Sequence, residues 1–239
     1  MTSLNYELRR RIAEAATQMC EQSLTTGLDA GDISVFDRDA GLIYALPRPC
    51  AQLPIRSWRD IRPEDVAVIT PDGKVVQDSY QTPTVEIPMH LRLYEARPDT
   101  NAIVHSHGEW SQVFAAAGKD IPTATIDTYT HCGFAPIRCG KFGMVGSEEL
   151  AVAMVEAVGV SAKAALMECH GAVALGYDLE NSMLVARVIE RAARQALFAY
   201  LIGGPQQLGL DHVISDRDLA TRITSGDARL HTEDLQRMA

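Results

Sequence analysis

The stretch RPDTNAIVHSHGEW, residues 97–110, contains the end of one secondary-structure element, a whole second element and the start of a third. Pro98 cannot continue a helix, so the helical pattern that precedes it ends here. The apolar run at 102–104 predicts a buried strand, and EWSQVFAAA at 109–117 predicts the next helix. This alternation of helix and strand predicts an α/β fold.

The rest of the chain continues the alternation on both sides of this stretch. Two apolar runs, 66–69 and 74–76, flank the turn residues 71–73 and predict a β-hairpin. Apolar spacing predicts further helices at 4–19, 84–96, 148–158 and 179–200, and further strands at 33–36, 41–46 and on either side of Gly171. We therefore expect a single domain over 1–239, a three-layer α/β/α structure with a mixed central sheet, whose core covers about 8–203 and whose tail covers 204–239.

The composition indicates a protein that handles small molecules. The net charge of -9, from 22 basic and 31 acidic side chains, and the absence of a Lys/Arg cluster argue against nucleic acid or an anionic membrane as the partner. No window approaches the roughly 18 apolar residues of a membrane span, and the charged N-terminal residues predict no secretion signal. The five cysteines include no CxxC pair, which argues against a disulfide framework. We expect a cytoplasmic protein.

Two histidines close the predicted strand of the opening stretch. Because side chains alternate along a strand, His105 and His107 point to one face, where both can reach one metal ion. His170, just before Gly171 at another strand end, is a candidate third ligand. Glu86, at the start of the helix before the histidine strand, is the candidate general acid/base. The alternative interpretations are ordinary hydrogen-bonded histidines and a first-turn glutamate favoured by the helix dipole.

Three neutral imidazoles would leave a divalent ion its full positive charge and an open coordination position, which is typical of a catalytic site. Such an ion can stabilise the enolate that forms when a neighbouring carbon–carbon bond breaks. The histidine pattern therefore favours metal-dependent carbonyl chemistry.

Four stretches, which together span residues 27–176, resemble the class II aldolase/adducin family: GLDAGDISVFDRDAGLIYAL, RPEDVAVITPDGKVV, TPTVEIPMHLRLYEARPDTNAIVHSHGEW and ALMECHGAVALG. The resemblance implies that His105, His107 and His170 bind one divalent ion per subunit, commonly Zn2+ or Mn2+, with Glu86 as the acid/base or an additional ligand. It also implies a homotetramer with sites at the subunit interfaces. Tyr129 would serve a neighbouring subunit's site, although packing is the alternative role for this residue.

The chain departs from the family pattern where members that act on sugar phosphates hold the phosphate. In place of the family's Gly-Asn, Ser/Thr-Gly and Ser-Ser pairs it has Gly31-Asp32, Arg48-Pro49 and Thr84-Val85. A carboxylate at position 32 adds negative charge, and valine at position 85 removes a hydroxyl donor. We therefore expect an altered phosphate pocket.

Four polar residues around these positions are predicted substrate contacts: Asp32, Arg48, Thr84 and His90. Arg48 could bind a carboxylate by paired hydrogen bonds or could simply face solvent. His90 lies one turn after Glu86 and could orient that glutamate or fill space.

The resemblance and the departures leave several functions open. The first hypothesis is a metal-dependent aldolase that cleaves a small hydroxy-carbonyl substrate through an enediolate. The second is a metal-dependent decarboxylase of a hydroxylated aromatic or keto acid. An epimerase needs the same groups, because cleavage and re-addition at the other face invert a centre. A non-catalytic adducin-like interaction domain ranks below the enzymes, because this chain keeps all three histidines and the glutamate.

Overall fold

The computed structural model describes residues 4–25, 30–48, 57–76, 79 and 81–208. Within these ranges, seven strands form one mixed sheet and six α-helices pack against it. The strands are β1 (Asp32–Asp37), β2 (Leu42–Ala45), β3 (Ala67–Ile69), β4 (Ala102–Ser106), β5 (Arg138–Gly140), β6 (Ala164–Met167) and β7 (Gly171–Gly176). The helices are α1 (Tyr6–Glu21), α2 (Ile87–Ala96), α3 (Glu109–Ala116), α4 (Ile126–Cys132), α5 (Glu148–Val158) and α6 (Leu179–Leu201).

The strand order is β3-β2-β1-β4-β7-β6-β5, with the strand of the opening stretch at the centre. Neighbouring strands are antiparallel except for the parallel pair β5 and β6. All five residues of β4 are buried, because both of its edges are paired and both of its faces are covered. The predicted buried strand is confirmed.

Helices cover both faces of the sheet. On one face α1, α3 and α6 contact the strands and α4 packs on α6, whereas α2 and α5 pack together on the other face. The buried apolar side chains accordingly form two clusters, with Ile33 and Val104 in one and Ile103 and Val173 in the other. The three-layer α/β/α arrangement with a mixed sheet is therefore confirmed.

Polar side chains define where the predicted helices begin. Ser147 accepts a hydrogen bond from the Leu150 N–H at 3.1 Å and caps α5. Asp178 accepts one from the Asn181 N–H at 2.8 Å and caps α6. Both contacts satisfy backbone donors that the first helical turn leaves unpaired.

Three local features differ from the prediction. The expected strand at 74–76 is a single β-bridge between Ile69 and Val75, and the Val76 N–H donates to the Val68 carbonyl at 3.0 Å beside it. Helix α2 begins at Ile87 rather than near 84, because the Thr84 N–H pairs with the Leu46 carbonyl at 2.9 Å in extended backbone. Helix α4, capped by Thr125, is not indicated by the apolar pattern.

Most of the predicted C-terminal tail lies outside the described residues, which end at 208. Its division from the core therefore stays a prediction. Among the helices of the described ranges, none is long and apolar enough to cross a membrane.

Candidate metal centre

Three histidines converge at one end of the central strands. His105 is the penultimate residue of β4, His107 follows that strand, and His170 lies in the turn between β6 and β7. Their ring centroids are 4.7 to 4.9 Å apart, and one potential ligand nitrogen of each lies within 4.8 Å of the others. The Nε2 atoms of His105 and His107 are separated by 3.0 Å. The structure brings the three predicted ligands together.

The turn before β7 lets His170 face the other two rings. Cys169 adopts a left-handed conformation with φ 59°, which is uncommon for a residue other than glycine. A Cβ at Gly171 would lie 2.4 Å from the Ser106 carbonyl oxygen and 3.3 Å from the His107 ring. Because 2.4 Å from a backbone oxygen is too short for a Cβ, the close approach of β4 and β7 requires glycine here.

The Nδ1 atoms of His105 and His107 contact neighbouring groups, and the Nε2 atoms of the two rings face one another. His105 Nδ1 lies 3.0 Å from the Ala172 carbonyl oxygen. His107 Nδ1 lies 3.2 Å from the side-chain amide nitrogen of Gln112, which also donates to the His170 carbonyl at 2.9 Å. The His105 contact, in which a ring N–H donates to a carbonyl, is of the kind that orients histidine ligands of metal sites. The sequence prediction missed Gln112, whose only signal is its place one turn into the helix after the histidine pair.

Glu86 is the residue immediately before α2, and its carboxylate closes the site. Its Oε2 lies 2.6 Å from His105 Nε2, and its Oε1 lies 3.6 Å from His170 Nε2. The side chain is buried, yet Oε1 has no hydrogen-bond partner within the described residues. A buried carboxylate oxygen of this kind is rare in proteins without a cation or water to satisfy it.

Crowding determines the protonation of the cluster. Burial disfavours the charged form of His105, but the charge of Glu86 and its hydrogen bond outweigh this and raise the pKa of His105 to about 9. Burial and the neighbouring His105 charge lower the pKa of His107 to about 3 and also lower that of His170. Burial opposes ionisation of Glu86, yet His105 keeps its pKa below the usual value. In the metal-free protein one imidazolium therefore lies between a carboxylate and two neutral imidazoles.

This donor set suits a divalent ion such as zinc. Tetrahedral zinc, with Zn–N distances of about 2.0–2.1 Å, holds its nitrogen ligands roughly 3.3 Å apart, close to the 3.0 Å between the Nε2 atoms of His105 and His107. Two histidines are already neutral, as metal ligation requires. The three nitrogens could hold the ion and leave a fourth position for Glu86 or for a substrate oxygen.

A second buried polar cluster lies beside the histidines, and it contains three of the predicted substrate contacts. The Thr84 hydroxyl donates to Asp32 Oδ2 at 2.6 Å, and His90 Nε2 lies 3.0 Å from Asp32 Oδ1. Burial opposes the charge of Asp32, but His90 and then Thr84 lower its pKa to about 2. The His90 side chain thus contacts Asp32 instead of orienting the Glu86 carboxylate directly.

The structure does not bring Arg48 or Tyr129 into either cluster. Arg48 is exposed after β2, and its N–H pairs with the Thr82 carbonyl at 2.8 Å. Tyr129 is buried on α4, in the layer opposite α2, with its ring centroid 5.0 Å from that of Phe134. This contact supports a packing role within one chain, and the role of Tyr129 in a neighbouring subunit stays a prediction.

Comparison with known proteins assigns the chain and its fold to one family. The profile of the class II aldolase and adducin N-terminal domain matches residues 10–197. The chain belongs to the class II aldolase and adducin family. The fold is similar to that of a solved structure of L-fuculose 1-phosphate aldolase, with a TM-score of 0.79 and 26% sequence identity. The match covers 87% of this chain and 93% of that one.

Curated relatives of this class II aldolase family member are enzymes. It is 30% identical over 206 residues to a 5-deoxy-D-ribulose 1-phosphate aldolase of Bacillus thuringiensis serovar kurstaki, a match that covers 86% of this chain and 91% of the relative. It is 26% identical over 203 residues to an L-ribulose-5-phosphate 4-epimerase of Salmonella paratyphi B, a match that covers 81% of this chain and 85% of the relative. The family and the histidine cluster together support a metal-dependent aldolase at the level of the family.

Proposed function

We propose that this class II aldolase family member is a divalent-metal-dependent carbon–carbon lyase that cleaves a small hydroxy-carbonyl substrate. The proposal is supported by the convergence of three histidine nitrogens beside a buried Glu86 oxygen that lacks a hydrogen-bond partner in the described part of the chain. One Zn2+ or Mn2+ ion per subunit, a homotetramer and a cytoplasmic location belong to the same proposal.

The chemistry requires a positive charge and a mobile proton. When bound, the ion supplies the charge that stabilises negative charge developing on the substrate's carbonyl oxygen. Glu86 is the group that moves the proton, because its ionised carboxylate lies at the edge of the histidine cluster. In cleavage, a base takes the proton of the hydroxyl β to the carbonyl, the carbon–carbon bond breaks to release an aldehyde, and the remaining carbon takes up a proton.

We further propose that the substrate is not held through an ordinary phosphate pocket. Asp32 on β1 lies opposite His105 of β4. Its buried carboxylate contacts Thr84 and His90, so neither Asp32 nor the Thr84 hydroxyl offers a donor to a phosphate. Val85 is 40% exposed next to Glu86 and offers no side-chain donor. These residues favour a substrate with a neutral end, in contrast to the phosphate that the relatives' names specify.

The test compares matched substrates with and without phosphate. Protein loaded with Zn2+ or Mn2+ is incubated with 5-deoxyribulose 1-phosphate, 5-deoxyribulose and a panel of hydroxylated keto acids, and aldehyde, carbon dioxide and epimer products are measured. Aldehyde from the unphosphorylated sugar would support both parts of the proposal, and a strong preference for the phosphorylated sugar would contradict the second part. Carbon dioxide without aldehyde would establish a decarboxylase, and epimer without aldehyde would establish an epimerase.

A further inference from the structure

A buried chain of polar contacts leads away from the backbone of Glu86. The Glu86 N–H donates to the Thr84 hydroxyl oxygen at 3.3 Å, and that hydroxyl donates to Asp32 Oδ2 at 2.6 Å. The other carboxylate oxygen, Oδ1, lies 3.0 Å from His90 Nε2. Each of these residues is at most 8% exposed, so water does not compete for the contacts.

The chain continues behind His90 into the sheet. His90 Nδ1 lies 2.7 Å from the Ser34 hydroxyl oxygen, which lies 2.7 Å from the Tyr94 hydroxyl oxygen. Ser34 belongs to β1, whereas His90 and Tyr94 belong to α2. The network therefore ties the helix that begins after Glu86 to the strand that carries Asp32.

The direction of the hydrogen bonds gives Asp32 a specific effect. A hydroxyl has one proton, and a carboxylate is an acceptor only. The Thr84 proton must therefore point to Asp32, which leaves a lone pair of the same oxygen to accept the Glu86 N–H. Without Asp32 the hydroxyl could rotate and release that N–H.

Glu86 depends on this contact more than an ordinary residue at the start of a helix does. It has φ -92° and ψ 7°, and no side chain caps α2 at this end. The preceding residue, Val85, is exposed, whereas Thr84 is fixed by its backbone N–H to the Leu46 carbonyl at 2.9 Å. Thr84 is thus the anchored residue nearest to Glu86 on its N-terminal side.

We propose that Thr84 and Asp32 are positioning residues, which fix the Glu86 backbone and thereby hold its carboxylate against His105. The expected effect of these residues on catalysis rests on the proposed acid/base role of Glu86. The positional effect exists in the metal-free protein and can be measured without a substrate.

The experiment compares Thr84→Val, Thr84→Ser and Asp32→Asn with Thr123→Val as the matched control. Thr123 is also buried, and its hydroxyl has no hydrogen-bond partner within the described residues. The readout is solvent exchange of the imidazole proton on His105 Nε2, measured by NMR in metal-free protein at pH 7. Thr84→Val is expected to speed this exchange about 10-fold or more, and Asp32→Asn less, because a misplaced carboxylate no longer protects the proton. Thr84→Ser and Thr123→Val should match the wild type.

Kinetics of the metal-loaded variants give the second readout. Thr84→Val should lower kcat about 10- to 100-fold with little change in KM or metal content, and Thr84→Ser should restore it, because displacement of a reacting group by about 1 Å has effects of that size. Unchanged exchange in Thr84→Val and Asp32→Asn would overturn the inference, and if Thr84→Val does not fold, Asp32→Asn decides. A wild type without lyase activity, but with the expected exchange differences, would contradict the proposed function and leave the positioning intact.

Discussion

The Nε2 atoms of His105 and His107 lie 3.0 Å apart at the end of the central strand. A ring nitrogen carries at most one proton, and the proton on His105 Nε2 faces Glu86 Oε2, which lies 2.6 Å away. His105 keeps this proton in the metal-free protein, because the charge of Glu86 outweighs burial and raises its pKa to about 9. The same geometry makes proton and metal competitors for one position.

Metal content tests this competition directly. Wild-type protein should contain close to one divalent ion per chain by inductively coupled plasma mass spectrometry, and His107→Ala should lose most of it, because one of three converging nitrogens is removed. His131→Ala is the matched control, since His131 lies on α4 outside the cluster. A wild type that takes up neither Zn2+ nor Mn2+ after incubation would contradict the metal site and favour the interaction-domain hypothesis.

The central part of the fold is predictable from local pattern. The strand β4 has an unbroken apolar run between two helical patterns, and its burial on both faces follows from that run. The strand β5 has only three residues, none of them fully buried, so it carries no apolar signal. The bridge at Val75 shows the opposite error, in which an apolar run predicts a strand that tertiary pairing does not extend.

The site is predictable to the extent that its residues share a local rule. His105 and His107 follow strand alternation, and His170 follows from its strand end together with the family resemblance. The Asp32–Thr84 hydrogen bond joins residues 52 apart in sequence and depends on the register of residues 83–84 against 46–47 beside β1. No local sequence pattern predicts that register. In the structure, residues predicted to contact the substrate contact one another instead.

Replacement of Glu86 by glutamine separates proton transfer from metal binding. Glu86→Gln keeps the size of the side chain but cannot accept a proton, so kcat for the lyase reaction should fall about 10²- to 10⁴-fold. Metal content should remain near that of the wild type, because three histidine ligands remain. Steady-state kinetics and metal analysis of the same preparation check both expectations. Retained kcat would contradict the acid/base role.

The metal-free protein should be most stable near pH 6.5, the ordinary histidine pKa. Burial and His105 lower the pKa of His107 to about 3, and that of His170 is also lowered, so below pH 6.5 the unfolded chain binds more protons and stability falls. His105 has a pKa of about 9, so its stabilisation is complete below 6.5 and is lost as the pH rises through 9.

Denaturant unfolding in the presence of a chelator, between pH 5 and 9, measures this dependence. His107→Asn should make the acidic side shallower by up to about 1.4 kcal/mol per pH unit, the contribution of one proton. His131→Ala should leave the slope unchanged. An acidic slope that is identical in wild type and His107→Asn would contradict the depressed pKa.

The backbone before β1 should be intolerant of any side chain at position 31, because the site is built against it. Gly31 has φ +93°, and a Cβ there would lie 2.5 Å from the carbonyl oxygen of His105. Gly41 also has positive φ, at +66°, but a Cβ there would meet nothing within 4 Å. Gly41→Ala should therefore cost only the conformational strain, about 1–2 kcal/mol in the free energy of unfolding.

Gly31→Ala should cost about 2 kcal/mol more than Gly41→Ala, because the clash adds overpacking to the same strain. The displaced backbone is that of His105, so Zn2+ affinity should also fall in Gly31→Ala and not in Gly41→Ala. Denaturant unfolding of the metal-free variants and zinc titration measure the two effects separately. Equal destabilisation of both variants would mean that β1 and the end of β4 can separate without cost, and the histidine would then not depend on this contact for its position.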